Sequence, residues 1–195
     1  MLTAIIATAE SERALVPTLA ALVPGSTSGL LSEVILADAA SRDATAEVAD
    51  IAGCRLMSST APLGTRFKAA AQAAKTPWLM FMRAGAVPEP SWVDAVTAFI
   101  HVTRQAGDRR AAAFRARPVV EPRSAAREFW SLLFAIVAGG PSPDQGLLIA
   151  RDHYEAIGGH EDGDDAERRM IARIGRRDIA LLSAAMGKGD IPDLG

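Results

Sequence analysis

Four short apolar runs, spanning residues 3–7, 33–37, 54–57 and 78–82, punctuate the first half of this chain, and the segments between them carry helical spacing. Strands that alternate with helices build α/β units, so the expected fold is a Rossmann-like α/β architecture, with a mostly parallel central sheet flanked by helices. A length of 195 residues suits one compact unit with a substantial core. Within it the pattern is regular over 1–105 and irregular over 106–186, and 187–195 reads as a flexible tail.

The second run is the most informative. Glu33-Val-Ile-Leu-Ala-Asp38 reads as a buried strand ending in a carboxylate, and the chain then turns through Ser41 and Asp43 into a helix. Ligands of an open parallel sheet sit beyond the carboxyl ends of its strands, so a carboxylate at such a tip faces a base or ribose. Leu15, Leu19, Leu22 and Val23 share one side of the first helix, where Pro17 must begin the regular part or kink it. Ala44, Val48, Ile51 and Ala52 point inward from the second, which Ser41 or Asp43 caps and Gly53 ends. A third, over 63–75, buries Phe67, Ala70, Ala71 and Ala74 and exposes Arg66 and Lys68. A fourth follows Pro90, with Trp92, Val96, Phe99 and Ile100 at helical spacing. Further on, 111–116, 146–150 and 179–183 read as strands, 139–143 as a loop, and 151–157 and the segment after Asp164 and Asp165 as helices.

Composition excludes several function classes. With 21 basic and 23 acidic side chains, a net charge of -2 and no basic block, there is no electrostatic footprint for nucleic acid. The single cysteine, Cys54, rules out an internal disulfide framework and reads as a small core residue. The N-terminus enters a strand pattern without a basic segment and apolar run before a cleavage site, so the expected location is cytoplasmic. His101, His153 and His160 lack the paired spacing of zinc ligands, and no Walker loop, Gly-x-Ser-x-Gly elbow or dinucleotide fingerprint occurs. The longest apolar run, 129–138, is about half of the roughly 20 residues that a membrane-spanning helix needs. It reads as a core helix or, with Arg123 and Arg127 upstream, as an interfacial segment peripheral to a membrane.

Taken in order, five segments resemble the family 2 glycosyltransferases of the short, single-domain bacterial type, across about residues 3 to 182. Ile5-Ile-Ala-Thr-Ala-Glu-Ser-Glu12 sits at that family's first strand and turn, where Glu10-Ser11 replaces Asn-Glu. Asp38-Ala-Ala-Ser-Arg-Asp43-Ala-Thr45 is similar to its Asp-x-x-Ser-x-Asp-x-Thr, and Phe67 to Ala74 resembles the helix written Asn-x-Gly-x-x-x-Ala. Trp78 to Met82 resembles the strand leading to the metal motif, and Asp144-Gln-Gly146 with Tyr154 to Gly159 resembles the Gly-Asp-Gln strand and Gly-Gly turn. The resemblance implies a glycosyltransferase A fold, with a nucleotide-binding half over 1–105 and an acceptor-side half over 106–186. It further implies transfer of a sugar from a nucleotide-sugar such as a UDP-sugar, with a lipid-linked acceptor as one candidate.

The resemblance also distributes roles. Asp38 would accept a hydrogen bond from the base, with Thr8 lining the same pocket. The family's strand at 78–82 runs into Asp-x-Asp or His-x-Asp, whose last carboxylate holds the Mg or Mn that bridges the diphosphate. Here Arg83-Ala84-Gly85 follows, so the expected metal ligand position carries no side chain. Arg83 is either a guanidinium that grips the diphosphate in place of the metal, joined by Arg66, or a solvated loop residue. The loop 160–167 falls on the family's acidic loop, which makes Asp165, then Asp164, then Glu161 candidates for the base that takes the acceptor's proton. The alternative for these carboxylates is helix capping. Asp144 and Gln145 fall on the sugar or acceptor side. Two functions follow: a metal-independent, inverting glycosyltransferase, and a catalytically degenerate relative that binds nucleotide or serves in assembly.

Overall fold

A computed structural model describes residues 1–117 and 141–189. Its strands are β1 (Leu2–Thr8), β2 (Leu31–Asp38), β3 (Arg55–Ser58), β4 (Trp78–Arg83), β5 (Ala86–Pro88), β6 (Ala111–Ala116), β7 (Leu147–Ala150) and β8 (Ile179–Lys188). The helices are α1 (Glu12–Thr27), α2 (Thr45–Ile51), α3 (Leu63–Ala73), α4 (Trp92–Ala106), α5 (Arg151–Ala156) and α6 (Ala166–Ile174). All eight strands form one sheet in the order β3-β2-β1-β4-β7-β6-β8-β5. The pairings of β1 with β2 and β4, of β2 with β3 and of β6 with β8 are parallel; β7 runs antiparallel to both neighbours, as β5 does to β8.

Both faces of the sheet are covered, which explains the continuous apolar runs. Successive side chains of a strand point to opposite faces. Leu2, Ala4 and Ile6 of β1 and Trp78, Met80 and Met82 of β4 therefore join one core layer with Leu15, Leu22, Trp92 and Val96 of α1 and α4. Ile5, Leu79 and Phe81 join the other, with Phe67 and Ala70 of α3, Tyr154 of α5 and Met170 of α6. Cys54 is half-buried beside the first layer, where burial pushes its thiol up.

Several sequence expectations change in phase or extent. Helix α1 continues through both Pro17 and Pro24, and the carbonyls of Ala14 and Ala21 receive outside donors, Gly85 N–H at 3.0 Å and Trp92 Nε1–H at 2.9 Å. Its buried stripe is Leu15, Thr18, Leu22 and Gly25, while Val23 is exposed. Helix α2 begins at Thr45, whose hydroxyl accepts the Ser11 N–H at 3.0 Å. That bond turns Thr45 and Ala49 inward and leaves Ile51 on the surface, contrary to the expected face. Strand β5, which the sequence does not announce, pairs with Met186–Lys188, so residues 187 and 188 belong to the sheet rather than to a tail. Pro88 is tolerated because β5 is an edge strand.

The apolar run 129–138, Arg123, Arg127 and residues 190–195 lie outside the described residues. Among those described, no helix is long and apolar enough to cross a membrane.

A Cβ at Gly25 would overlap the six-membered ring of Trp92, a fully buried side chain. Overpacking of this kind costs about 1–3 kcal/mol. Gly25→Ala is expected to lower the free energy of unfolding by that amount, read as a lower urea midpoint at an unchanged slope of the transition.

Candidate active site

The carboxyl ends of β1, β2 and β4 share one edge of the sheet, with Thr8 opposite Asp38 and Ala7 opposite Arg83. This is where open α/β sheets bind ligands. Asp38 is 2% exposed, and four donors of its own chain fill its carboxylate. Oδ1 accepts from Thr8 Oγ1 at 2.9 Å and Ser41 Oγ at 2.5 Å, while Oδ2 accepts from Ser41 N–H and Ser58 Oγ, both at 2.9 Å. Burial acts to raise the Asp38 pKa, but the bonds from Ser41, Thr8 and Ser58 outweigh it and hold the carboxyl below its ordinary value. An ionised carboxylate offers about four acceptor sites. Asp38 therefore joins the tips of β1, β2 and β3, and it meets a nucleotide base only by giving up one of these donors.

The loops after β1 and β2 brace each other. Glu10 accepts the N–H groups of Arg42 and Asp43 at 3.0 and 3.1 Å, and Glu12 accepts that of Ala44 at 2.9 Å. In return Asp43 accepts from Glu12 N–H at 3.0 Å and from Thr45 N–H at 3.1 Å, which gives it the amide of the first residue of α2. Glu10 and Ala40 both adopt left-handed backbone, at φ 46° and 57°, a strained conformation that persists where surrounding contacts over-determine it. Arg66 is half-buried rather than exposed: its Nε donates to Ala61 O at 3.0 Å and its Nη1 to the carbonyls of Ala37 and Thr8. It thus closes the ends of β1 and β2.

The acidic loop docks on the N-terminus of α3. Leu63 N–H donates to Asp164 Oδ1 at 3.4 Å, Gly64 N–H to Gly163 O at 3.1 Å and Thr65 Oγ1 to Asp162 at 2.8 Å, so acceptors meet the positive end of the helix. A Cβ at Gly64 would overlap Glu161 O. Asp165 pairs with Arg169 one turn along α6, which holds its carboxyl below the ordinary range, and Glu161 pairs with Arg169 and Arg173. Asp165 occupies the N-cap position of α6, yet its side chain makes no capping bond. His160 anchors the start of the loop among Phe67, Phe81 and Tyr154. Its N–H donates to the Tyr154 hydroxyl at 3.1 Å, and that hydroxyl lies 3.0 Å from Nδ1. Burial, with a smaller contribution from Arg173, pushes His160 down to about 4; burial pushes Tyr154 up to about 12.

Arg83, Ser142, Asp144, Asp164, Asp165, Glu167 and Arg168 line a cleft of about 490 Å³. Arg83 is no free loop cation. Its Nε donates to Glu167 Oε2 at 2.8 Å and its Nη2 to the same oxygen. Burial raises the Glu167 pKa, Arg83 opposes that shift, and Asp144 adds to it. Gln145 is committed inside the fold, because its Oε1 accepts Ser142 N–H and its Nε2 donates to Phe114 O, both at 2.7 Å. Asp144 is exposed at the cleft mouth. Sequence reasoning passed over Glu167, although it shares a helical face with Met170 and Ile174. A lone acid on an apolar stripe is the signal that marks it.

The residues present do not fit a divalent cation at the tip of β4. Gly85, at φ 89°, donates its N–H to Thr18 Oγ1 and Ala14 O, and its carbonyl accepts from Gly189 N–H. The neighbouring Arg83 already supplies positive charge, and among the described residues no group of three acidic, His or Cys side chains is placed to hold a metal. Hard cations require several oxygen ligands.

The chain has the glycosyltransferase A fold. Glucosyl-3-phosphoglycerate synthase from Mycobacterium tuberculosis, solved with Mn2+, UDP and glucosyl-3-phosphoglycerate, matches with TM-score 0.67 and 16% identity over 93% of this chain and 68% of that one. S. aureus TarS 1-349 in complex with UDP-GlcNAc matches with TM-score 0.68 and 16% identity over 97% and 60%. Mannosyl-3-phosphoglycerate synthase from Rubrobacter xylanophilus matches with TM-score 0.66 and 14% identity over 93% and 64%. The chain thus spans 60% to 68% of the lengths of these proteins. No protein-family model and no curated protein matches its sequence.

Between pH 6.5 and about 4 the unfolded chain takes up a proton on His160 that the folded chain refuses. Stability is then fully present above the unfolded value and falls by up to ~3 kcal/mol as pH drops through that window. Urea titrations across the window are expected to show this slope in the wild type and to lose most of it in His160→Phe, where His153, which burial also lowers, still contributes.

Proposed function

We propose that the chain is a glycosyltransferase of the family 2 type, moving a sugar from a nucleotide-sugar such as a UDP-sugar to an acceptor hydroxyl, with inversion and without a divalent cation. The observation that carries this reading is Arg83, a guanidinium at the tip of β4 that lines the cleft, two residues before the Gly85 position. A guanidinium is permanently charged and binds phosphate oxygens in pairs, so it stabilises a diphosphate leaving group as a metal would. Its Nε and Nη2 hold Glu167, which leaves the Nη1–Nη2 edge for the phosphates.

Asp38 and Thr8 act on the nucleoside by holding the loop over 39–45 in place, and Arg66 adds positive charge beneath it. A carboxylate of the 160–167 loop supplies the base, since this loop borders the cleft opposite Arg83's strand. Asp144 stands on the acceptor side, at the mouth. Coverage of the fold neighbours supports a shared donor half, because their matched structures include complexes with UDP and UDP-GlcNAc.

Calorimetry with UDP, ADP and GDP, each with Mn2+ and with chelator, tests the reading. UDP is expected to bind equally in both conditions, and Arg83→Gln, which keeps a hydrogen bond to Glu167, to weaken it by about 10- to 100-fold, the value of a charge-assisted bond. A strict Mn2+ requirement would sink the metal-independent mechanism, and failure of every nucleotide to bind would sink the transferase. UDP binding with no turnover of any UDP-sugar would favour the degenerate, binding-only relative.

A further inference from the structure

We propose that Glu167, rather than Asp165, is the carboxylate that takes the acceptor's proton. This inference rests on the transferase reading above. The other acids of the loop are tied down: Glu161 by Arg169 and Arg173, Asp162 by Thr65, Asp164 by the N-terminus of α3, and Asp165 by Arg169. Their bonds seat the loop on the sheet. Asp165 in particular has a side chain 55% exposed, beside a cation that stabilises its charged form and weakens it as a base.

Glu167 differs in place and in surroundings. Its side chain is only 8% exposed, yet it lines the cleft together with Arg83 and Asp144. Both N–H donors of Arg83 converge on Oε2, and among the described residues Oε1 has no hydrogen-bond donor. One oxygen is thereby anchored and the other is left to accept a proton. Burial holds the carboxyl above its ordinary value, which suits a base working near neutrality. Asp144, the other acid of the cleft without a tie among the described residues, is exposed, and no donor fixes its orientation toward an acceptor.

The step balances as follows. The acceptor oxygen forms its bond to the anomeric carbon while the bond from that carbon to the diphosphate oxygen breaks. The electron pair of the broken bond leaves with the nucleoside diphosphate, whose charge Arg83 meets, and the acceptor's proton passes to Glu167 Oε1. Water then removes that proton. Arg83 thus touches the leaving group with one edge and orients the base with the other, so that a single guanidinium couples the two ends of the displacement.

The experiment uses the full chain in chelator, with UDP-glucose and UDP-GlcNAc as donors, water as acceptor, UDP release as the rate, and calorimetric UDP affinity alongside. Glu167→Gln is expected to lower kcat 100-fold or more, the usual worth of a general base, with UDP affinity changed less than about threefold. Glu167→Asp should restore at least tenfold of that loss, and Asp165→Asn, which removes the rival base, should keep both rate and affinity. Retained turnover in Glu167→Gln overturns the assignment, as does an equal loss in Asp165→Asn. Loss of UDP affinity together with rate also overturns it, because Glu167 would then only hold Arg83. If Glu167→Gln fails to melt cooperatively, Glu167→Asp carries the test: a tenfold fall in kcat at unchanged affinity supports the base, and an unchanged kcat overturns it. A wild type that binds UDP but releases none from either donor overturns the base and leaves the nucleotide site standing, whereas a wild type that binds no UDP overturns the transferase reading itself.

Discussion

The fully satisfied carboxylate of Asp38 is the constraint around which the candidate site is built. A buried charge is costly unless hydrogen bonds replace its water. Thr8, Ser41 and Ser58 do so, and because they come from β1, from the turn after β2 and from β3, satisfying the charge also aligns three strand tips. The loops after β1 and β2 then lock through Glu10, Glu12, Asp43 and Thr45, which keeps Glu10 and Ala40 in left-handed backbone. A wall of loops held this way needs no ligand to shape it, and preorganisation in general lowers the entropy lost on binding.

Beyond that wall, charge is sorted by position. Acceptors of the 161–164 loop face the N-terminus of α3, where the helix dipole favours them, while Arg169 and Arg173 bind the acids that point outward. Among the acids lining the cleft, Glu167 is the one that pairs with Arg83 in the described residues. Where a metal carboxylate would stand, Gly85 turns its N–H toward α1 through Thr18 and Ala14. The same turn therefore helps hold α1, a helix that continues through two prolines.

Much of the architecture is legible from residue order. The strands at Leu2–Thr8, Leu31–Asp38, Trp78–Arg83 and Ala111–Ala116 follow from apolar runs, and α3 and α4 from Phe67, Ala70, Trp92 and Val96 at helical spacing. Errors concentrate where long-range bonds override local pattern. Ile51 looks like a core residue of α2 until Ser11 turns Thr45 inward, and β5 has too few residues to show before β8 pairs with it. In the site, Arg83 and the acidic loop were visible as residue types, but the half-burial of Arg66 was not, because carbonyls of Thr8 and Ala37, distant in sequence, claim it.

The amino-acid order alone determined the alternation of strands and helices, the carboxylate at the tip of β2 and the missing side chain at Gly85, because hydrophobic periodicity and residue identity are local properties. Only the tertiary structure decided which acid of the cleft pairs with Arg83. Glu161, Asp162, Asp164, Asp165 and Glu167 are chemically alike in sequence, and what separates them is the partner each finds on α3, on α6 or on β4, together with how much water each loses in finding it.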